Sequence, residues 1–163
     1  MIETLAKKIR PLISKLEDPK YTSGVYLASG PGTVRAIIEG YPEINRLVEE
    51  GSASAELLVE KFKEAPSRTN DITLCCFAVV IEKVKYLPAV SILTEFLKKY
   101  DEGIVDEHEL KTPLWSPHFV NHTLKILTDQ VDANKRYYTY YKRQREETVR
   151  RSQAWLKKRE GRA

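Results

Sequence analysis

The sequence is poor in several residue types, and each shortage excludes a class of protein. Its 163 residues include only two cysteines and three histidines. The cysteines, Cys75 and Cys76, are adjacent within the apolar segment 72–81, where free thiols behave as small buried side chains, so a disulfide framework is excluded. No histidine or further cysteine flanks them at the spacing of metal ligands, which excludes a cysteine-based zinc site.

Long apolar runs are also missing from the sequence. No apolar stretch approaches the roughly 20 residues that a membrane-spanning helix needs. The amino terminus carries Glu3, Lys7 and Lys8 among short apolar stretches, and it lacks the continuous apolar region of a signal peptide. We therefore expect a cytoplasmic protein that does not act at a membrane.

The net charge of +4 belongs to one end of the chain. Residues 134–163 carry 11 Lys/Arg and 3 Asp/Glu, whereas residues 1–133 carry 16 and 20. The length and the hydrophobic content of 42% are sufficient for one domain with its own core. The sequence thus predicts a helical domain over residues 1–133. It also predicts a basic, aromatic helix over residues 134–163 that packs on this domain or on a partner.

The spacing of apolar residues predicts an all-α fold with a long basic carboxy-terminal helix. Apolar side chains recur every three or four residues in most segments, and sustained alternation is absent. The segment 72–86 is apolar on nearly every side as far as Glu82, which places this helix at the centre of the fold, with Asn70 or Asp71 as its amino-terminal cap. Residues 101–116 form the longest stretch without periodicity and are expected to be a loop.

Two further segments predict amphipathic helices. In residues 54–65, three side chains are expected to face the core: Leu57, Leu58 and Phe62. After Pro88, which suits the first turn of a helix, four apolar side chains are expected to face inward: Val90, Leu93, Phe96 and Leu97. The intervening polar side chains are expected to face solvent: Ser91, Thr94, Glu95 and Lys98.

The segment Leu87-Pro88-Ala89-Val90, followed by Leu93 and preceded by an all-apolar helix, resembles the second half of a HEAT-type repeat. Residues 70–100 resemble one pair of repeat helices. Residues 53–64 resemble part of an earlier pair, and the tail after 117–131 resembles the second helix of the next pair. The resemblance implies an irregular HEAT-like array, with a helical bundle as the alternative, and a protein that binds a partner along its helix-lined surface.

The three histidines raise the possibility of a metal site. His118 and His122 are four residues apart, so they share one helix face and could bind a metal with His108 or a loop carboxylate. Lys125 lies on the same face, and its ammonium group disfavours a bound cation. We therefore predict a solvent-facing polar stripe with no metal or other cofactor. No Ser-His-Asp or Cys-His order is present either, so we do not expect an enzyme.

The tail separates its rings from its cations when it is drawn as a helix. One face collects side chains that we predict to bind a protein partner or a second copy of the chain: Tyr137, Tyr138, Tyr141, Trp155 and Leu156. In the alternative, a nucleic-acid-associated protein, six cations on the other faces bind a polyanion without sequence specificity: Lys142, Arg143, Arg150, Arg151, Lys157 and Lys158. Base stacking requires rings and cations on one surface. The separation therefore favours a non-enzymatic protein-protein interaction module.

Overall fold

The structure is a computed structural model that describes residues 2–27, 31–67, 69–101, 114–130 and 142–161. Every regular element in these ranges is helical, which confirms the all-α prediction. The α-helices are α1 (Ile2–Leu16), α2 (Pro19–Thr22), α3 (Pro31–Glu39), α4 (Pro42–Glu49), α5 (Ser52–Val59), α6 (Asp71–Val84), α7 (Ala89–Asp101), α8 (Ser116–Leu127) and α9 (Lys142–Glu160). Two 3-10 helices, η1 (Ser23–Leu27) and η2 (Glu60–Lys63), follow α2 and α5. Within the described ranges, no helix is both long enough and apolar enough to cross a bilayer.

The later helices lie in two rows. In the first row α4, α6 and α8 pack in succession, and α1 packs on α4. In the second row α5, α7 and α9 pack in succession. Contacts of α5 with α6 and of α7 with α8 join the two rows. Each helix from α5 to α8 therefore packs both on a helix of its own row and on a helix of the other row.

Helix α6 occupies the centre, as its sequence predicts. All of its side chains from Asp71 to Glu82 are buried, and α3, α4, α5 and α8 pack around it. The helix ends at Lys85, which adopts a left-handed conformation with φ 56°. There the backbone N–H of Tyr86 donates to the carbonyl of Ile81 at 3.2 Å, which closes the last turn.

Asp71 fastens the start of α6 to the start of α8. Its Oδ1 accepts the backbone N–H of Ser116 at 2.8 Å, and its Oδ2 accepts that of Trp115 at 3.0 Å. Asn70 is the N-cap residue of α6, but its side chain makes no capping hydrogen bond. Of the two predicted cap residues, Asp71 therefore caps a different helix, α8, because the two amino termini meet in the fold.

Two of the predicted inward and outward positions are wrong. Leu57 is 44% exposed, whereas Leu58 and Phe62 are buried as expected. The covered side of α5 and η2 is the one that faces α6 and α7, where the Phe62 ring packs edge-on against Phe96 with centroids 5.5 Å apart. Thr94 was expected to face solvent but is buried. Its hydroxyl donates to the carbonyl of Val90 at 2.6 Å, so burial leaves no unsatisfied hydrogen-bonding group on this side chain.

Candidate functional site

The inner side of α9 packs on the body of the same chain. Helix α9 contacts α7 and α8, and four of its side chains are buried there: Arg145, Thr148, Val149 and Ser152. Val149 belongs to the main hydrophobic core. The Arg145 guanidinium lies 5.0 Å from the centroid of the Tyr100 ring, a geometry in which the ring face attracts the cation. These four side chains of α9 are therefore covered within the chain.

Trp155 and Leu156 are the two members of the predicted partner-binding group whose side chains the structure describes. Both are half-buried, and they pack against the edge of the core. The guanidinium of Arg159 lies 4.6 Å from the centroid of the Trp155 ring. Trp155 and Leu156 thus remain partly exposed to solvent, and the Arg159 guanidinium covers one face of the Trp155 ring.

The outer side of α9 consists of six exposed residues: Arg150, Arg151, Gln153, Ala154, Lys157 and Lys158. Four of them are cations that the sequence predicts to bind a polyanion. An open depression of about 580 Å³ lies along this side. The described residues that line this depression are Arg150, Gln153, Ala154, Leu156, Lys157 and Glu160. The depression therefore combines two cations with the exposed part of one apolar side chain.

Glu147 binds two of these cations. Its Oε1 and Oε2 accept hydrogen bonds from Nη2 and Nε of Arg150 at 2.5 and 3.0 Å, and Oε1 also accepts Nε of Arg151 at 2.8 Å. The hydrogen bonds from Arg150 and then Arg151 lower the pKa of Glu147 to about 2. By contrast, Lys157 and Lys158 form no ion pair with any carboxylate of the described ranges.

Several predicted site residues fall on parts of the chain that are not described. Tyr137, Tyr138 and Tyr141 lie outside the described residues, as do the side chains of Lys142 and Arg143. The predicted beginning of the tail helix at residue 134 lies outside them as well. The site is therefore built from the portion of α9 that follows residue 144.

The histidine stripe on α8 is buried, and its predicted exposure to solvent is wrong. His118 and Lys125 are buried, and the His122 side chain is only 12% exposed. The reason is that α6, α7 and α9 all pack on α8, which leaves little of this helix exposed to water. His108 lies outside the described residues. In the part of the chain that the structure describes, no cluster of three His, Cys, Asp or Glu side chains could bind a metal.

Glu82 is the centre of an ionic network that the sequence did not reveal. Arg35 on α3 binds both carboxylate oxygens of Glu82 and donates through Nε to Glu39 at 2.9 Å. Lys83 Nζ lies 2.8 Å from the second oxygen of Glu39, and His122 Nε2 lies 3.2 Å from Oε1 of Glu82. Burial alone favours the neutral form of Glu39, but the hydrogen bonds from Lys83 and Arg35 outweigh it and lower the pKa of that carboxyl. Ion pairs of this network join α3 to α6, and the contact of His122 with Glu82 connects them to α8.

A second buried carboxylate, Glu43 on α4, accepts a hydrogen bond from the hydroxyl of Tyr21. The Tyr41 ring lies 5.0 Å from the Tyr21 ring, and Lys15 Nζ lies 4.7 Å from the Tyr21 centroid. The hydrogen bond to Glu43 and then burial raise the pKa of Tyr21 to about 12. The phenol therefore remains a neutral donor that fixes α2 to α4, rather than a nucleophile. No spacing in the sequence connects these two residues.

The cysteines are predicted to be chemically inert in the folded protein. Cys75 and Cys76 are completely buried in α6, and burial raises the pKa of both thiols. Since the thiolate is the nucleophile, we expect iodoacetamide at about pH 8 to leave both unmodified in the native protein. In denaturant, mass spectrometry should show two adducts. Rapid labelling of the native chain at a rate similar to that of the unfolded chain would contradict this placement.

Comparison of this chain with protein-family models, with curated proteins and with solved structures finds no match.

Proposed function

We propose that this protein is a non-enzymatic helical-repeat interaction module that binds an acidic protein partner through the outer side of α9. The order of its helices supports the repeat part of this proposal. A succession of α4, α6 and α8 beside a succession of α5, α7 and α9 is the arrangement expected when helix pairs stack along one axis. In this interpretation the pairs are α4–α5, α6–α7 and α8–α9.

The observation that supports the proposal best is the combination of apolar and cationic side chains at the end of α9. Trp155 and Leu156 are half-buried there, and exposed cations surround them. Tryptophan and arginine are the residues that contribute most often to the centre of protein interfaces. Surrounding cations attract a partner of opposite charge and orient it during encounter. An acidic surface with one or two protruding apolar side chains would complement this arrangement.

The non-enzymatic part rests on the state of the reactive side chains. The thiols of Cys75 and Cys76 and the phenol of Tyr21 all have raised pKa values, so each is held in its protonated, less reactive form. The ionic network around Glu82 already uses its carboxylates to satisfy cations. These groups therefore serve the fold.

Nucleic-acid binding is the second candidate, and one observation favours it. Lys157 and Lys158 are exposed and form no ion pair with a described carboxylate, so both could contact phosphate groups. The position of Arg159 over the Trp155 ring argues against nucleic-acid binding. Because Arg159 already lies over that ring, a base could stack there only by displacing the guanidinium. We therefore place the acidic protein partner first.

The proposal can be tested by site-specific photo-crosslinking in an extract of the source cell. A benzophenone amino acid is placed at Gln153 on the outer side of α9, and at Glu56, an exposed position of α5, as the matched control. We expect cross-links from position 153 to map to acidic segments of one partner. Trp155→Ala should reduce their yield by about tenfold or more, because the apolar anchor is lost. Thermal melting checks that this variant remains folded.

Each of the other results would assign the surface differently. Equal yields from positions 153 and 56, or a yield that Trp155→Ala does not change, would overturn the proposal. Loss of the cross-links after nuclease treatment would favour the nucleic-acid candidate. A cross-linked dimer of this chain would assign the outer side of α9 to self-association.

A further inference from the structure

We propose that Glu147 is an internal competitor for the binding surface, and that a carboxylate of the acidic partner replaces it on Arg150 and Arg151. This inference rests on the proposed function and adds the chemistry by which the partner is recognised. It starts from a division among the cations of α9. Arg150 and Arg151 are already bound to one carboxylate, whereas Lys157 and Lys158 form no such pair with the described residues.

The geometry at Glu147 indicates which ligand would fit. Arg150 binds Glu147 through two parallel N–H donors, at 3.0 and 2.5 Å, and this fork matches the two oxygens of a planar carboxylate. Arg151 adds a third donor at 2.8 Å. The two guanidinium groups are therefore already arranged for a carboxylate, and an Asp or Glu side chain of a partner can occupy the same donors.

The exposure of the three side chains makes this exchange possible. They are 69%, 45% and 42% exposed for Arg150, Arg151 and Glu147, so a ligand can approach without any movement of the helices. Ion pairs exposed to this degree are weak, because water solvates both partners well. Since hydrogen bonds from Arg150 and then Arg151 lower the pKa of Glu147 to about 2, the competitor stays ionised at every physiological pH.

Glu147 should therefore reduce affinity without preventing binding. An acidic ligand meets Lys157 and Lys158 directly, but it gains Arg150 and Arg151 only when Glu147 leaves them. Removing the charge of Glu147 frees both arginines at once. Glu56 on α5 offers a matched control, because it is an exposed glutamate that does not line the depression on α9. Replacing either residue by glutamine changes the net charge by the same amount.

The experiment measures the fluorescence anisotropy of a labelled octaglutamate peptide titrated with the full chain at low salt. We expect Glu147→Gln to lower the Kd by about three- to fivefold, the change that the release of exposed ion pairs can supply. Glu56→Gln should lower it by less than about twofold. In the background of Arg150→Gln with Arg151→Gln, Glu147→Gln should no longer change the Kd, because there is no guanidinium left to release.

The possible failures separate this inference from the function on which it rests. Equal gains from Glu147→Gln and Glu56→Gln, or a gain that persists without both arginines, would overturn the role of Glu147 and leave the binding surface intact. If neither the wild-type chain nor any variant binds the peptide, the proposed function fails, and this inference fails with it. A DNA oligonucleotide of equal charge that gains more from Glu147→Gln than the peptide does would assign the arginines to phosphate instead. Circular dichroism of each variant verifies that α9 remains helical.

Discussion

Replacing Glu82 by alanine is expected to lower the free energy of unfolding by about 3–5 kcal/mol, the effect of removing one member of a buried ion pair. The side chains of Glu82 and Arg35 are only 9% and 19% exposed. Without Glu82, the Arg35 guanidinium keeps its contact with Glu39 but loses the two oxygens that satisfy its other donors. His122 loses its contact with Glu82 as well. Chemical denaturation monitored by tryptophan fluorescence measures the change.

A matched control and a double variant show whether the ionic network is the cause. Glu49→Ala removes an exposed glutamate from α4 and should change the free energy of unfolding by less than about 0.5 kcal/mol. The double variant Arg35→Leu with Glu82→Leu should recover most of the loss, because two apolar side chains leave no uncompensated charge behind. If the double variant is as unstable as the sum of the single ones, Glu82 stabilises the fold by packing rather than by charge.

Replacing Asp71 by alanine is expected to lower the free energy of unfolding by about 2–4 kcal/mol, because two backbone N–H groups lose their acceptor at once. Ser116 is fully buried, so water cannot easily replace the lost oxygen. Asp71→Asn keeps one acceptor oxygen and should cost about half as much. The expected local effect is faster amide hydrogen exchange at Trp115 and Ser116, which lie 44 and 45 residues further along the chain.

Hydrogen exchange also provides the control for Asp71. The amides of α7 neither bind to Asp71 nor depend on this cap, so below the threshold of global unfolding their exchange should stay unchanged. Faster exchange throughout the chain, with no preference for the start of α8, would show that Asp71 acts through the core of α6 and not as a cap.

The interior of the fold could be predicted where a single segment determines its own environment. The burial of α6 as far as Glu82 and the inward side of α7 follow from local periodicity, and the structure confirms them. In these segments the apolar side chains are so frequent that they must be buried, whichever helix covers them.

The errors occur where burial depends on neighbours that are remote in the sequence. His118 and Lys125 were predicted to face solvent because they are polar, and only the arrival of α6, α7 and α9 around α8 buries them. Arg35 and Glu82 are 47 residues apart, and no spacing rule connects two positions at that distance. The capping of α8 by Asp71 escaped prediction for the same reason.

The candidate site was predicted in composition but not in orientation. A helical wheel of α9 places Thr148, Val149 and Ser152 on the same side as Trp155, and these three side chains are buried. It could not indicate that the body of the same chain would cover them. Glu147 was also missed, since the sequence shows a glutamate three and four residues before two arginines but does not show which donors it would bind.

The packing of α9 on α7 and α8 has a thermodynamic consequence for the binding of a partner. A basic tail that is unfolded before it meets its ligand must lose backbone conformational entropy on binding, at a cost of roughly 1–2 kcal/mol for each residue that becomes ordered. In this chain the core has already ordered residues 145–156 during folding. The cations of α9 are thus presented on a preorganised support, and association should show a small heat-capacity change and little rearrangement of the backbone.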